Sequence, residues 1–233
     1  MNKWLKALLY LLGAAFLTRL IPFSSWFRML DTMIHEFGHA IATLLVSGRV
    51  LRIELYPDHS GVTYSVITSG WSQLIVSLAG YFTASLFAVA LFYSYSRQKQ
   101  GQGLMIITAL ALVSGLLFVR NGYGLIWLLI FIALNLLFLV IGGRIRSFYY
   151  LLLAFLCLEE SVMAPLTLLL LAVSRPGSAG DAANLAALTG VPAIVWALLF
   201  FAIAVLCARV ALNLYWNRKA ANKAPQMSFS PYK

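Results

Sequence analysis

Residues 32–46 read TMIHEFGHAIATLLV, two histidines and a glutamate inside an otherwise apolar run. Taking ionisable groups out of water is costly unless they are paired or coordinated, so the surroundings decide how this run is read. Those surroundings are apolar. Of 233 residues, 62% are hydrophobic and 10% are charged, whereas a soluble domain carries roughly 25% charged residues. Several apolar runs approach or exceed the ~20 residues that cross a bilayer as a helix. The expected fold is an all-α polytopic membrane protein with six or seven transmembrane or embedded helices.

The chain divides accordingly. Five apolar segments, roughly 71–95, 104–119, 123–142, 147–173 and 192–216, are long enough to cross. The N-terminal MNKWLKALLYLLGAAFL has the charge and apolar core of a signal peptide but no clear small-x-small cleavage site, and reads as an uncleaved first span. The histidine-bearing helix, about 29–47, is shorter and more amphipathic, and either crosses or enters only partly. With no internal repeat and no low-complexity linker, residues 1–233 read as one domain.

A net charge of +10 could suggest nucleic acid. The basic residues stand instead at the ends of apolar runs: Lys3 and Lys6, Arg97 and Lys99, Arg144 and Arg146, Arg218 and Lys219. That distribution marks loops retained on the cytoplasmic side of a membrane, so the expected partner is a lipid bilayer and not nucleic acid. Whether or not the histidine-bearing helix crosses, the C-terminus and the loops near 98 and 145 fall on the cytoplasmic side. The two cysteines, Cys157 and Cys207, lie in apolar runs without a C-x-x-C, which predicts neither a disulfide nor a cysteine metal site.

After that helix comes RVLRIELYPDHSGVTYSVITS. Val50, Arg52, Glu54 and Tyr56 alternate with Leu51, Ile53 and Leu55. Pro57-Asp58-His59-Ser60-Gly61 is turn chemistry, and Val62–Ile67 is rich in β-branched and aromatic residues. A β-hairpin over about 50–67 is predicted. It must lie at the surface or against protein, because lipid cannot satisfy an open sheet edge.

His35, Glu36 and His39 spell H-E-x-x-H. Positions i and i+4 of a helix share a face, so both imidazoles can reach one ion. Zinc accepts such ligands and can keep a position open for water. Glu36, next to His35, can take that water's proton, which is the chemistry of amide hydrolysis. A chance match on a solvated helix is the competing reading. It is weakened because two of the chain's three histidines fall in the motif, and ionisable groups in membrane segments usually face a functional interior. Haem is excluded, because axial ligands approach from opposite faces of the porphyrin and i, i+4 histidines of one helix cannot.

A third protein ligand is required, and there are seven acidic residues to search. Asp31 precedes His35 by four positions. Three ligands over i to i+8 of one helix would span about 12 Å, so Asp31 is expected to be a helix N-cap. Glu54 is expected on a solvated strand face, and Asp58 and His59 in a solvated turn. Glu159 and Glu160 lie within a span, as ligand, proton relay or partner of an arginine. Asp181 stands in a Gly/Ser loop before a short helix, about 182–189. On its own it reads as that helix's N-cap, but four spans separate the hairpin from it, and an even number returns the chain to the hairpin's side.

Taken together, H-E-F-G-H-A in an apolar helix, the hairpin's Gly61-Val62-Thr63 and the late D-A-x-x-L-A-x-L-T-G-x-P resemble the site-2 protease superfamily of membrane-embedded zinc metallopeptidases, in its small branch without a PDZ domain, over about residues 30–200. The resemblance implies a zinc ion held by His35, His39 and Asp181, with Glu36 as catalytic acid/base. It implies cleavage of peptide bonds in or near transmembrane segments of membrane-protein substrates, in a bacterial cell membrane. The better-known members carry L-D-G or N-P-D-G within a span, where this chain has A-G-D-A in a loop, and Glu159 and Glu160 are the reserves. The competing function is a transporter or assembly factor with a structural metal, against which an intact Glu36 argues. Of Asn121, Asn135 and Asn184, the sequence selects none as an oxyanion stabiliser. Gly80, Ala84 and Ala88, and Gly38 and Ala42, recur every four residues, and small residues let membrane helices approach closely. The two helices that carry them are expected to touch.

Overall fold

The structure is a computed structural model and describes residues 3–217; the basic pair Arg218 and Lys219 lies outside the described residues. In chain order the helices are α1 (Lys3–Ala15), α2 (Ser24–Leu45), α3 (Gly70–Ser96), α4 (Gln100–Val113), α5 (Gly122–Ile141), α6 (Gly143–Ser174), α7 (Gly180–Thr189) and α8 (Ala193–Trp216). An antiparallel hairpin, β1 (Arg49–Leu55) and β2 (Gly61–Val66), sits between α2 and α3. Short π-helical turns finish α1 (Phe16–Leu20) and α4 (Ser114–Phe118).

Five helices are long and apolar enough to cross a membrane: α3, α4 with its π turn, α5, α6 and α8. Their outward faces carry large apolar side chains such as Leu129, Val140 and Leu206, an arrangement suited to lipid. The first two helices meet at a bend of 104°, and the pair makes a sixth candidate passage when taken as one broken span. The Lys3 ammonium donates to the Trp216 carbonyl at 2.9 Å, and Trp4 packs on Trp216 with ring centroids 4.2 Å apart. The start of α1 and the end of α8 therefore share one end of the bundle, as they must if the bent pair makes a single passage.

The α2 helix begins at Ser24, about a turn and a half before the expected start. Asp31 is thus not an N-cap; it lies inside the helix and is buried. The polar Ser24, Ser25 and Arg28 concealed this first stretch from a reading based on apolar periodicity. At the other end, Ser47 takes φ 60° and the Gly48 N–H donates to the Thr43 carbonyl at 2.8 Å, closing the helix and launching β1.

The hairpin has one face against the bundle, through Ile53 and Leu55, which are fully buried. Its other face is polar: Arg52 bonds Glu54 at 2.7 Å and lies over the Tyr64 ring, and the Tyr56 hydroxyl also donates to Glu54. Such a face suits water, so Glu54 stands on a wet strand face as expected. The outer edge of β1 is covered by residues 119–121. Val119 forms a parallel bridge with Ile53, the Arg120 N–H donates to the Ile53 carbonyl at 3.1 Å, and the Asn121 side-chain amide pairs with the Leu55 backbone. Among the described residues no strand pairs with the far side of β2.

Candidate functional site

The site is built on α2. His35 and His39 project from one face of that helix, with their Nε2 atoms 3.0 Å apart. The His39 Nδ1 faces the Val76 carbonyl of α3 at 2.7 Å. That contact fixes Nδ1 as the protonated nitrogen and leaves Nε2 with a lone pair, the usual way an imidazole is prepared to bind a metal. Tyr81 of α3 packs edge-on against His35, ring centroids 4.5 Å apart.

Four helices, α3 to α6, lead from the hairpin to α7, and the chain returns to the hairpin end. Ala182 and Leu185 dock α7 into an apolar nest with Leu168 of α6 and Ala193, Ala197 and Phe200 of α8. This turns Asp181 and Asn184, three apart, toward the interior, where both line a cavity of about 660 Å³ with His35, Glu36 and His39. The Asp181 Oδ2 atom lies 3.2 Å from His35 Nε2 and 3.3 Å from His39 Nε2. The helix starts at Gly180 with Ala179 at its N-cap, which places Asp181 inside the first turn, so its expected alternative as an N-cap is not what this geometry shows.

Among the described residues, His35, His39 and Asp181 form the acidic or histidine group whose ligand atoms gather closely enough for one ion. Four ligands about 2.1 Å from a tetrahedral zinc stand about 3.4 Å apart, and the observed separations of 3.0, 3.2 and 3.3 Å approach that figure. Asp181 Oδ2 is buried without a hydrogen-bond donor, which is the state of a carboxylate oxygen waiting for a cation. The residues fit a zinc ion.

Glu36 extends from the same helix into the cavity wall. Its Oε2 accepts from the Thr63 hydroxyl of β2 at 2.6 Å. The backbone of β2 passes so near that a Cβ on Gly61 would stand 2.7 Å from Glu36 Cγ.

The reserve ligands are engaged elsewhere. Glu159 accepts from Thr18 at 2.9 Å and Arg19 at 3.2 Å, while Glu160 pairs with Arg19 at 2.5 Å and Arg28 at 2.8 Å. Of their three expected roles, partner of an arginine is the one observed. They tie the π turn after α1, and α2, to α6. Asp58 is a turn residue, accepting from the Ser60 N–H at 3.1 Å and the Ser60 hydroxyl at 2.6 Å. His59 differs from expectation: it is half-buried, its carbonyl accepts from Thr32 at 2.8 Å, and its Nδ1 lies 3.4 Å from Arg28. Burial and the Arg28 guanidinium push the His59 imidazole down to about 4, so it is neutral at pH 7. A turn sequence gives no sign that the turn will be folded back onto a helix.

The three asparagines separate cleanly. Asn121 braces β1, Asn135 is buried and accepts from the Tyr149 hydroxyl at 2.7 Å, and Asn184 lines the cavity. Thr63 and Tyr81 belong to the site and were not foreseen. Thr63 lay within a quoted motif without a role, and Tyr81 gave no signal beyond following Gly80.

The H-E-x-x-H helix of this membrane bundle and the late Asp181 thus meet at one wall of an internal cavity. The Peptidase M50B-like family model matches residues 7–211, nearly the whole chain, and the chain belongs to that family. This is a site-2 protease family, and no PDZ domain is found, in keeping with the resemblance read from the sequence. Neither the comparison with curated proteins nor that with solved structures gives a match.

Proposed function

We propose that the protein is an intramembrane zinc metalloendopeptidase, acting as a single domain, with His35, His39 and Asp181 as zinc ligands and Glu36 as general base. The convergence of those three ligand atoms beside Glu36, in a cavity large enough for a peptide segment, carries this reading. A zinc ion there would lower the pKa of a water toward about 7 and polarise the scissile carbonyl. Glu36 takes the proton of the attacking water and passes it to the departing amine. Asn184 is the asparagine amide available to the carbonyl oxygen from the cavity wall. A purely structural metal has no use for a carboxylate held beside a cavity. The protein is integral to the membrane; its proposed setting is a bacterial cell membrane with the C-terminus in the cytoplasm, on the side of the basic loops.

Substrates in this reading are membrane proteins or peptides whose scissile segment is unwound into extended form. β2 supports the mode of binding. Ile53 and Leu55 turn their backbone groups away from β2, toward Arg120 and Asn121. Their register partners Thr63 and Gly61 therefore turn theirs to the free edge, beside Glu36. An extended substrate can add there as a strand. N-methylation of a substrate amide that pairs with this edge should raise KM up to about tenfold, the range for one neutral hydrogen bond. Methylation of the next amide, which points away, should do little. Sensitivity that fails to alternate along the substrate removes strand addition.

The ligand assignment of Asp181 has its own test. As a helix cap, asparagine would serve almost as well. As a zinc ligand the negative oxygen helps neutralise the ion in a low-dielectric site. Asp181→Asn is expected to lower zinc affinity and cleavage together while the protein stays folded, read by metal analysis and peptide cleavage beside His35→Ala. Wild-type zinc content in Asp181→Asn would remove Asp181 from the ligand set.

A further inference from the structure

We infer that Thr63 is a positioning residue for the Glu36 carboxylate, an inference that rests on the peptidase reading above. A glutamate on a helix has several rotatable bonds, and a general base acts only when an oxygen faces the proton it will take. Being next to His35 in sequence does not point the Glu36 carboxylate anywhere. The hairpin does. The Thr63 hydroxyl lies 2.6 Å from Glu36 Oε2 and 3.0 Å from the Glu36 carbonyl. It has one proton to give, and the carboxylate is the stronger acceptor. Oε2 is thereby held against β2, leaving Oε1 as the oxygen free to accept.

Gly61 makes this contact possible. Side chains two apart on a strand share a face, so Gly61 and Thr63 both meet Glu36. A Cβ at Gly61 would stand 2.7 Å from Glu36 Cγ and 2.9 Å from Oε1, forcing the carboxylate away. The glycine brings the strand in and the threonine fastens the acid. The same strand offers its free edge to substrate, so the element that receives the peptide backbone also holds the group that acts on it.

The plainer account is that Thr63 only anchors the hairpin to α2. Two substitutions separate the accounts. Thr63→Val keeps the β-branched shape and removes the hydroxyl; Thr63→Ser keeps the hydroxyl. With purified full-length protein and a membrane-spanning peptide substrate, Thr63→Val should lower kcat about 10- to 100-fold, the range for one hydrogen bond to a charged group. KM, zinc content and the thermal unfolding temperature should stay at wild-type values, and Thr63→Ser should stay within a few-fold of wild type. Wild-type kcat in Thr63→Val overturns the proposal, as does a loss of kcat accompanied by a matching fall in zinc content or unfolding temperature. If zinc-loaded wild-type protein cleaves no peptide, the peptidase reading itself fails and the proposal falls with it; if wild type cleaves and Thr63→Val cleaves equally well, the positioning role alone fails.

Discussion

Glu36→Gln is expected to lower peptide cleavage by about 10²–10⁴-fold, the range for removing a general base, and to leave zinc bound. The two effects separate because of where Glu36 stands. It follows His35 on α2, yet its carboxylate reaches β2 and not the cluster of His35, His39 and Asp181. Glutamine keeps the size and one oxygen, and can still accept from Thr63. What it lacks is the capacity to take a proton. The check is metal content beside single-turnover cleavage of a membrane-spanning peptide. Cleavage at the wild-type rate in zinc-loaded Glu36→Gln would end the peptidase reading. Loss of zinc together with activity would mean that Glu36 supports the ligand set, a different role from the one assigned.

The parts of the fold that could be read from sequence are those with a strong one-dimensional period. The last five membrane-length helices begin and end within about four residues of their apolar runs, because lipid demands an uninterrupted apolar stretch of defined length. The hairpin was legible for a related reason: the turn at residues 57–61 interrupts two short runs of β character. The bend between α1 and α2 was not legible. It follows a π turn whose Thr18 and Arg19 are held by Glu159 and Glu160, some 140 residues away in sequence, and no local pattern announces such a partner.

At the site the same distinction holds. His35, Glu36 and His39 come from one helix, so their spacing is their geometry. Asp181 depends on four intervening helices, and counting their parity brought it to the correct side but not to the imidazoles. What carries it the rest of the way is the packing of Ala182 and Leu185 against α6 and α8, a tertiary fact. Thr63 depends on the hairpin folding back along α2, and His59 on the same movement. Their chemistry was in view in the sequence, and their contacts were not.

Gly80→Ala should remove zinc binding without unfolding the protein, although it adds a single methyl group. The expected approach of α2 and α3 is present, and it is closest at the glycines. A Cβ on Gly38 would stand 2.6 Å from Thr83 Oγ1 and 3.0 Å from the Ala79 carbonyl oxygen. A Cβ on Gly80 would stand 2.4 Å from His35 Nε2 and 2.6 Å from His39 Nε2, in the space the ligand atoms occupy. Thr83 and Ala79 of α3 pack closely against Gly38 in the same interface, so the two helices could part only by giving up that packing. Nor can the imidazoles simply turn aside, because His39 is tied to Val76 and His35 is backed by Tyr81. The methyl group must therefore displace the ring nitrogens from a common centre. Disturbing the groups that orient metal ligands weakens binding about 10- to 100-fold, and direct displacement of two nitrogens should reach at least the upper end. The α3 helix itself should not suffer, because alanine favours a helix interior over glycine by about 1 kcal/mol. The expected result is a protein with its helix content and unfolding temperature preserved, zinc lost and cleavage lost. Gly13→Ala on α1, where nothing lies within 4 Å of the added carbon, is the matched control and should bind zinc as wild type does. Wild-type zinc affinity in Gly80→Ala would show that the ligand atoms do not meet against α3, and the proposed metal centre would have to be moved.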